Sequence, residues 1–295
     1  MNLALKQKLA NLSPTQRAEL LKTIKKTTSA EVVEVVSMIT PDAQQRYQPF
    51  ALTEIQQAYF IGRQGGFELG NVSARGYSEI RCDDLDLERL KQAWNGTIKR
   101  HSMLRAIVQN DGQQVVQPQV PDFVIKIRDY SALAPTELEA ELTAVRDDMS
   151  HRVLPADQWP LFEMEATLLP QGKTLLHIGI DVLIFDAWSY DILNWELQLR
   201  YQQQVQLPAL LPELDLDFRD YVLALKASES QSEYEQAKSY WLERIKTLPG
   251  APQLPLATDP KLIKQPRFER CKSRLNKDRW LRFKALAGEA GVTPS

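Results

Sequence analysis

The chain has 295 residues, of which 43% are hydrophobic and 25% are charged, and its formal net charge is -2. This balance is typical of a globular protein and argues against one that coats nucleic acid or an anionic membrane. No apolar run reaches the ~20 residues that a membrane span requires, and the N-terminus lacks the apolar core of a signal peptide. Two separated cysteines and three scattered histidines exclude a disulfide scaffold, a cysteine-built zinc site and a His-rich metal centre. We therefore expect a cytoplasmic protein of one large domain or two lobes, with a small appendage.

Residues 1–40 are predicted to form a separate helical arm. Ser13, Pro14 and Gln16 make a helix start, with Ser as the N-cap and Pro at the first helical position. The apolar run Val32–Val36 fits either a helix or a strand. A polar link follows, and the arm is too small to hold a core of its own. It is expected either to pack on the rest of the chain or to dock to another chain.

From Phe50 onward the pattern of apolar residues predicts alternating helices and strands. Thr53 and Gln56 form a capping box that opens a helix ending at Gly62. The further predicted elements, in chain order, are a strand Tyr77–Cys82, a helix Asp86–His101, a hairpin of Met103–Gln109 and Gln113–Gln117, a strand Phe123–Arg128, a helix Pro135–Met149, a hairpin of Phe162–Leu169 and Thr174–Val182, helices Ala187–Gln203, Tyr221–Ala227 and Tyr234–Leu248, a strand Phe268–Leu275 and a helix Lys277–Ala290. Together they predict a mixed α/β fold.

The stretch from Asp181 to Ser189 is the most unusual part of the sequence. A nearly continuous apolar strand ends in one carboxylate, and a second carboxylate, Asp186, follows after four apolar residues. Burial of an ionised carboxylate without partners costs several kcal/mol, so both groups need hydrogen-bond donors or a cation. Asp186 precedes a helix and could simply cap it. Asp181 has no such explanation, while His177 in the same strand is expected to be only packed.

A second candidate segment joins a helix to a strand and contains Arg100, His101 and Arg105. The two guanidinium groups could supply the fixed partners that buried carboxylates require. The alternative is a solvated helix C-terminus whose basic residues interact favourably with the helix dipole. We expect Asp181 and Asp186 to lie close together, with Asp186 hydrogen-bonded to a buried arginine, either Arg105 or Arg100.

Three motifs in this order give the sequence a family resemblance. The segment Phe50–Arg63, with Gln56, Tyr59 and Arg63, strongly resembles the opening motif of the heterocyclization domains of nonribosomal peptide synthetases. The segment Arg100–Arg105 is similar to the second motif of that family, in which Pro usually stands at the place of Ser102. Asp181–Ser189 is similar to the third, which has two aspartates separated by four residues and then a Ser. Ordinary condensation domains carry two adjacent histidines at the places of Asp181 and Val182.

The resemblance implies a chloramphenicol-acetyltransferase-like fold of two lobes with a tunnel between them. Residues 1–45 would be the N-terminal docking or linker arm, 46–215 the first lobe and 216–295 the incomplete start of the second lobe. An upstream acyl or peptidyl carrier protein and a downstream peptidyl carrier protein would present substrates on phosphopantetheine arms, with no cofactor bound to the domain itself. The reaction would join an acyl group to carrier-bound Cys, Ser or Thr and cyclise the product to a thiazoline or oxazoline.

The resemblance also assigns roles to particular residues. Asp181, Asp186 and Ser189 would form the central motif and largely organise the site. The supporting residues would be Arg100, Arg105, Gln56, Tyr59 and Arg63. No metal ligand is implied. Two other readings stay open, namely an ordinary amide-forming condensation domain and a non-catalytic docking or scaffold module.

The end of the sequence predicts an incomplete enzyme. The last residues close a helix and then present Thr293-Pro294-Ser295, which is a helix start with nothing after it. The cyclising residues of the resembled family lie in the second lobe, so we expect no heterocyclization by this chain alone. Residues 217–290 are expected to reach away from the first lobe, with Trp241, Ile245 and Trp280 under-buried. Residues 1–40 are expected to dock to an upstream synthetase subunit.

Overall fold

The structure is a computed structural model that describes residues 39–65, 69–202, 210–250, 252–269, 271 and 273–294. The predicted helical arm lies almost entirely outside the described residues. The helices are α1 (Glu54–Gly62), α2 (Leu87–Arg100), α3 (Pro135–His151), α4 (Ala187–Tyr201), α5 (Phe218–Ser228), α6 (Ser232–Arg244) and α7 (Lys277–Glu289). The strands are β1 (Phe50–Ala51), β2 (Arg75–Asp83), β3 (Ala106–Val108), β4 (Gln113–Val116), β5 (Lys126–Asp129), β6 (Phe162–Leu168) and β7 (Lys173–Asp181).

The main sheet has four strands in the order β2-β7-β6-β5. Strands β2, β7 and β6 run antiparallel, and β5 lies parallel to β6. The predicted second hairpin is confirmed, with Gln171 and Gly172 at positive φ in its turn. Pairing places Arg75 of β2 opposite Asp181 of β7, so that the last residue of the most apolar strand meets the first residue of the edge strand.

A smaller three-stranded sheet has the order β1-β4-β3. Its β3–β4 hairpin turns at Gly112, whose φ of +80° favours glycine. The predicted start of the first strand at Met103 is wrong, because Ser102–Arg105 is a short 3₁₀ helix. Next to this sheet, the predicted capping box is confirmed: Thr53 caps α1, and the Gln56 side chain returns to the backbone of Thr53.

Helices cover both faces of the main sheet. On one face α2 buries Leu90, Ala93, Trp94 and Ile98, and the Trp94 ring meets the Phe162 ring edge-on at 5.3 Å. Helix α4 packs beside α2 on this face. On the other face α3 buries Leu142 in a smaller apolar cluster. The mixed α/β fold is therefore as predicted, with helices and hairpins both connecting the strands.

The C-terminal elements differ partly from expectation. Helix α5 does not reach away, because Val222 is fully buried in the main core and Phe218 packs against it. Helix α6 has no buried residue, and Trp241, Ile245 and Trp280 are 56%, 62% and 40% exposed, as predicted. The predicted strand Phe268–Leu275 is wrong: its described residues are not in a strand, since no described strand lies beside them to supply the hydrogen bonds.

None of the helices within the described ranges is both long enough and apolar enough to cross a lipid bilayer.

Candidate active site

Asp181 is anchored at the end of β7 by three donors. Its Oδ2 atom lies 2.5 Å from Nη1 of Arg63 and accepts a hydrogen bond from the Ser73 hydroxyl at 2.7 Å. Its Oδ1 atom accepts the backbone N–H of Leu183 at 3.0 Å. Asp181 is only 2% exposed, so the Arg63 guanidinium supplies the counter-charge that an apolar strand cannot. The expectation that Asp181 is buried and partnered is confirmed, and its partner comes from the opening motif.

Asp186 has a different environment, at the N-terminus of α4. Its Oδ1 atom accepts hydrogen bonds from the backbone N–H of Ser189 at 2.8 Å and from the Ser189 hydroxyl at 2.7 Å. These two donors hold the pKa of the Asp186 carboxyl below its usual range. Asp186 is exposed, and none of the described arginines forms an ion pair with it, so the predicted buried arginine partner is wrong. The helix cap alone accounts for Asp186 in this position.

Arg105 contacts backbone carbonyls rather than a carboxylate. Its Nη1 atom donates to the carbonyls of Ile98 at 2.7 Å and Lys99 at 2.8 Å, and its Nε atom donates to that of Gln117 at 3.1 Å. The carbonyls of Ile98 and Lys99 lie in the last turn of α2, where carbonyls lack intrahelical partners, so the buried guanidinium of Arg105 caps the helix. Arg105 thus acts at the helix C-terminus, as in the alternative, but it is buried there, and the solvated position that the alternative predicted is wrong.

Arg100 and His101 share a carboxylate that sequence reasoning missed. Nε of Arg100 lies 3.1 Å, and Nε2 of His101 2.9 Å, from Oε2 of Glu196 on α4. Burial would raise the pKa of the Glu196 carboxyl, but the hydrogen bond and charge of His101 and the charge of Arg100 outweigh it, and the pKa is lowered. Arg100 therefore ties α2 to α4 and does not reach Asp186. The periodicity of α4 could have found this partner, because Glu196 follows Leu193 on the inward face.

Gln56 connects the opening motif to the turn that follows Asp181. Its Nε2 atom donates to the backbone carbonyl of Leu183 at 2.7 Å, and its amide pairs with the amide of Gln114 on β4 at 3.0 Å. Gln114 also donates to the carbonyl of Ala51. Both amides are buried, and each uses its oxygen and its nitrogen. This bridge fixes α1, β4 and the turn 182–185 relative to one another.

An open groove of about 1370 Å³ runs past these motifs. Its walls come from α1, the turn after β7, the first turns of α4 and helix α5, and they include Gln56, Tyr59, Asp186 and Ser189. Arg63 and Asp181 do not line the groove but lie behind the turn that does. The third motif thus splits into a buried anchor, Asp181, and an exposed cap, Asp186 with Ser189, at the groove surface.

His177 belongs to strand β7, and its side chain does not line the groove. Its ring nitrogens lie 2.8 Å from the Tyr77 hydroxyl and 3.0 Å from the Thr167 hydroxyl, and the side chain is fully buried. Burial lowers the pKa of this imidazole. The expectation of a packed histidine is confirmed. Across the described part of the chain, no group of three or more His, Cys, Asp or Glu side chains could hold a metal ion.

Comparison with known proteins gives the family. The Condensation domain profile matches residues 51–294. Pyochelin synthetase PchE of Pseudomonas aeruginosa is 37% identical over 258 residues, which are 86% of this chain and 17% of that protein. Phenyloxazoline synthase MbtB of Mycolicibacterium paratuberculosis is 35% identical over 71% of this chain and 18% of its own length. The chain therefore spans less than one fifth of the length of each of these two relatives.

Solved structures agree with the fold. The EpoB cyclization-docking bidomain of a nonribosomal peptide synthetase from Sorangium cellulosum matches 96% of this chain and 56% of its own, with a TM-score of 0.78 and 34% identity. The nonribosomal peptide synthetase FmoA3 matches 87% of this chain and 25% of its own, with a TM-score of 0.67 and 28% identity. The expected chloramphenicol-acetyltransferase-like architecture is thereby confirmed. The profile match and the motifs together show that the chain belongs to the condensation-domain family, in its heterocyclization branch.

Proposed function

We propose that the chain is the first lobe, with part of the second, of a heterocyclization domain in a nonribosomal peptide synthetase. The domain joins a carrier-bound acyl group to carrier-bound cysteine, serine or threonine and cyclises the product to a thiazoline or oxazoline. The upstream acyl or peptidyl carrier and the downstream peptidyl carrier present both substrates on phosphopantetheine arms. The names of the synthetases PchE and MbtB and of the EpoB bidomain support this assignment.

The chemistry balances without a redox partner or a metal. In the first step the amine of the acceptor attacks the acyl thioester carbonyl, a C–N bond forms, the C–S bond breaks, and the amine proton leaves while the carrier thiol is regained. In the second step the acceptor thiol or hydroxyl adds to the new amide carbonyl, and a C–S or C–O bond forms. The carbonyl oxygen then leaves as water, taking the thiol or hydroxyl proton and the amide N–H proton, while the C=N double bond of the ring forms. Most of the gain in the first step comes from holding amine and thioester together.

The observation that carries the proposal is the pair Arg63–Asp181 behind the groove, with Val182 next to it. A condensation domain of the ordinary type has histidines at both places, whereas here an ion pair fixes the turn and an apolar side chain lines the groove. Asp181, Arg63 and Gln56 are therefore positioning residues. Tyr59, Asp186 and Ser189 lie on the groove surface, where substrate passes.

The charge of the groove supports an amine acceptor. Acidic side chains outnumber basic ones on its described walls. The acidic ones are Glu54, Asp186, Asp191, Asp217 and Glu229, and the basic ones are Arg75 and Lys226, with His101 in addition. The cations are already engaged, Arg75 with Glu163 and Lys226 with Glu229. Asp217 and Glu229 have cationic partners as well, Arg46 and Lys226, so among the described residues Glu54, Asp186 and Asp191 are the wall carboxylates without an ion pair. These three carboxylates attract the ammonium form of an aminoacyl thioester.

The domain division expected from the sequence supports a further proposal, that catalysis needs residues beyond this chain. Residues 46–215 would form the first lobe, 216–295 the incomplete start of the second, and 1–45 a docking or linker arm that contacts an upstream subunit in the cytoplasm. The apolar side chains exposed on α6 and α7 then belong to an interface with the rest of the second lobe.

The test is product analysis. The chain, and a longer protein that includes the whole second lobe, are each supplied with a loaded acyl carrier and a cysteinyl carrier, and mass spectrometry detects products. We expect thiazoline from the longer protein only. Ring formation by the 295-residue chain would contradict the division of the chemistry. Amide without ring from the longer protein would favour an ordinary condensation domain, and no product at all would favour a docking or scaffold module.

A further inference from the structure

Residues 39–49 contact helix α5 through a set of charged side chains. We call this segment the strap. Nη1 of Arg219 on α5 lies 3.2 Å from Oδ2 of Asp42, and its Nη2 atom donates to Oε1 of Gln45 at 3.3 Å. Nε of Arg46 lies 3.1 Å from Oδ2 of Asp217, the N-cap residue of α5. The strap and α5 are more than 160 positions apart in the sequence, so these contacts are tertiary.

The centre of this contact is buried. Arg219 is 7% and Asp220 4% exposed, although both lie in the first turn of a helix. Oδ1 of Asp220 accepts the backbone N–H of Asp42 at 3.2 Å, and its Oδ2 atom accepts the N–H of Asp217 at 2.9 Å. The strap side is more open, since the side chains of Asp42 and Arg46 are 37% and 32% exposed. Loss of Asp42 therefore destabilises the contact mainly because it leaves the buried Arg219 guanidinium without a counter-charge. The strap is thus an ionic attachment, whereas a surface ion pair would hold α5 only weakly.

The other side of the same helix is a wall of the groove. Phe218, Tyr221, Val222 and Leu225 of α5 line it, opposite α1. Immediately after the strap, Phe50 packs its ring against that of Phe218, with ring centroids 6.4 Å apart. One short segment therefore holds α5 from its charged side and continues into the core that α5 covers.

We propose that the strap sets the position of α5 and thereby the opening of the groove. The chain that precedes residue 39 is then attached to a wall of the substrate site, so that a partner acting on that chain alters the groove. Only the identification of the groove as a substrate site rests on the proposed function; the mechanical coupling of strap, α5 and groove does not.

Hydrogen–deuterium exchange of the full chain tests the coupling. We expect Asp42→Asn and Arg219→Met each to accelerate exchange of amides in α5 at least threefold, with a smaller acceleration in the facing α1 and none in β6 and β7. In the double variant Asp42→Arg, Arg219→Asp the two charges are interchanged. Its α5 amides should exchange more slowly than those of Asp42→Arg alone or Arg219→Asp alone, because the double variant restores the ion pair. Lys238→Met, which removes an exposed ion pair on α6, is the matched control and should change nothing in α5.

Two results would overturn the proposal. One is unchanged exchange in α5 for both Asp42→Asn and Arg219→Met. The other is acceleration that is equal in α5 and in the central strands, which would indicate general destabilisation without specific coupling. In the longer, active protein, Asp42→Asn should raise KM for the aminoacyl carrier more than it lowers kcat. Absence of activity in the unsubstituted protein would contradict the proposed function and leave the exchange result to decide the coupling.

Discussion

Arg63 and Asp181 stand 118 positions apart in the sequence and form a buried ion pair between the end of α1 and the end of β7. The pair joins the first and third motifs of the family physically. Arg63 also donates a hydrogen bond from Nη2 to the backbone carbonyl of Leu154, so the loop before β6 is held at the same place. The geometry of the turn after Asp181 therefore depends on a residue that the sequence places far away.

Substitution of Asp181 by Asn should destabilise the fold by about 3–5 kcal/mol, because it removes the charge that compensates Arg63 while both groups stay buried. Equilibrium urea unfolding monitored by tryptophan fluorescence measures this. The control is Asp122→Asn, which breaks the exposed pair with Lys99 and should cost less than about 1 kcal/mol. The double variant Asp181→Asn, Arg63→Met should be less destabilised than the sum of the single ones. Additive losses would show that the two side chains do not interact.

Substitution of Asp186 by Ala should cost only about 1 kcal/mol, the usual loss of a helix N-cap, because Asp186 is exposed and caps α4. Asp186→Asn should be nearly neutral, since Asn also accepts the Ser189 N–H. The same unfolding measurement decides this. A loss for Asp186→Asn as large as that for Asp181→Asn would mean that Asp186 has a buried cationic partner after all.

Gly179→Ala tests the close approach of Arg75 to β7. A Cβ atom at Gly179 would overlap Nη2 of Arg75. The guanidinium cannot move away without loss of its bonds to Glu163 at 2.7 Å and to the Arg152 carbonyl at 2.8 Å. We expect a loss of about 2–4 kcal/mol, measured by chemical denaturation.

Two further variants, a control and a second-site substitution, test the explanation for the Gly179→Ala loss. Gly62→Ala, which meets no atom within 4 Å at the end of α1, is the matched control and should be neutral or slightly stabilising. Replacement of Arg75 by Met in the Gly179→Ala background should recover part of the loss. A Gly179→Ala protein as stable as the parent would contradict the described packing.

The stability of the fold should depend on Glu196 in acid. Because the folded-state pKa of Glu196 lies below its ordinary value of 4.5, the folded protein binds fewer protons there than the unfolded chain. The stabilisation is complete above that ordinary value and is lost as the pH falls through the lowered pKa. The free energy of unfolding of the parent should therefore fall more steeply below about pH 4.5 than that of Glu196→Gln. Parallel curves for the two proteins would refute the role of His101 and Arg100 at this carboxylate.

Local patterns predicted most of the elements. The capping box of Thr53 and Gln56 predicted the start of α1, and the pattern of apolar residues predicted α2, α7 and the strands β2, β6 and β7. The prediction of a strand at Phe268–Leu275 is wrong because a strand needs a neighbouring strand to accept and donate its backbone hydrogen bonds, and an apolar pattern alone does not supply one. Capping is decided within four residues of chain, whereas strand pairing is decided elsewhere in the sequence.

The candidate site was predictable in part. Burial of Asp181 follows from its apolar neighbours, but the choice of Arg63 over Arg100 or Arg105 depends on how α1 crosses the end of β7, which no local pattern contains. The prediction of Arg105 as a carboxylate partner is wrong because an arginine at a helix end donates to backbone carbonyls as readily as to carboxylates. Ser73, which donates to Asp181, lies in a loop with no periodicity to indicate it.

The position of β2 at one edge of the main sheet has a consequence for handling the protein. In the described structure its outer side pairs with no strand, so nine residues of backbone could recruit a strand from another molecule. The strand carries alternating charges at Arg75, Glu79, Arg81 and Asp83, and the ion pair of Glu79 with Arg146 ties its middle to α3. Charged edges of this kind oppose intermolecular pairing, so neutralising Arg81 and Asp83 together should lower the concentration at which the protein aggregates.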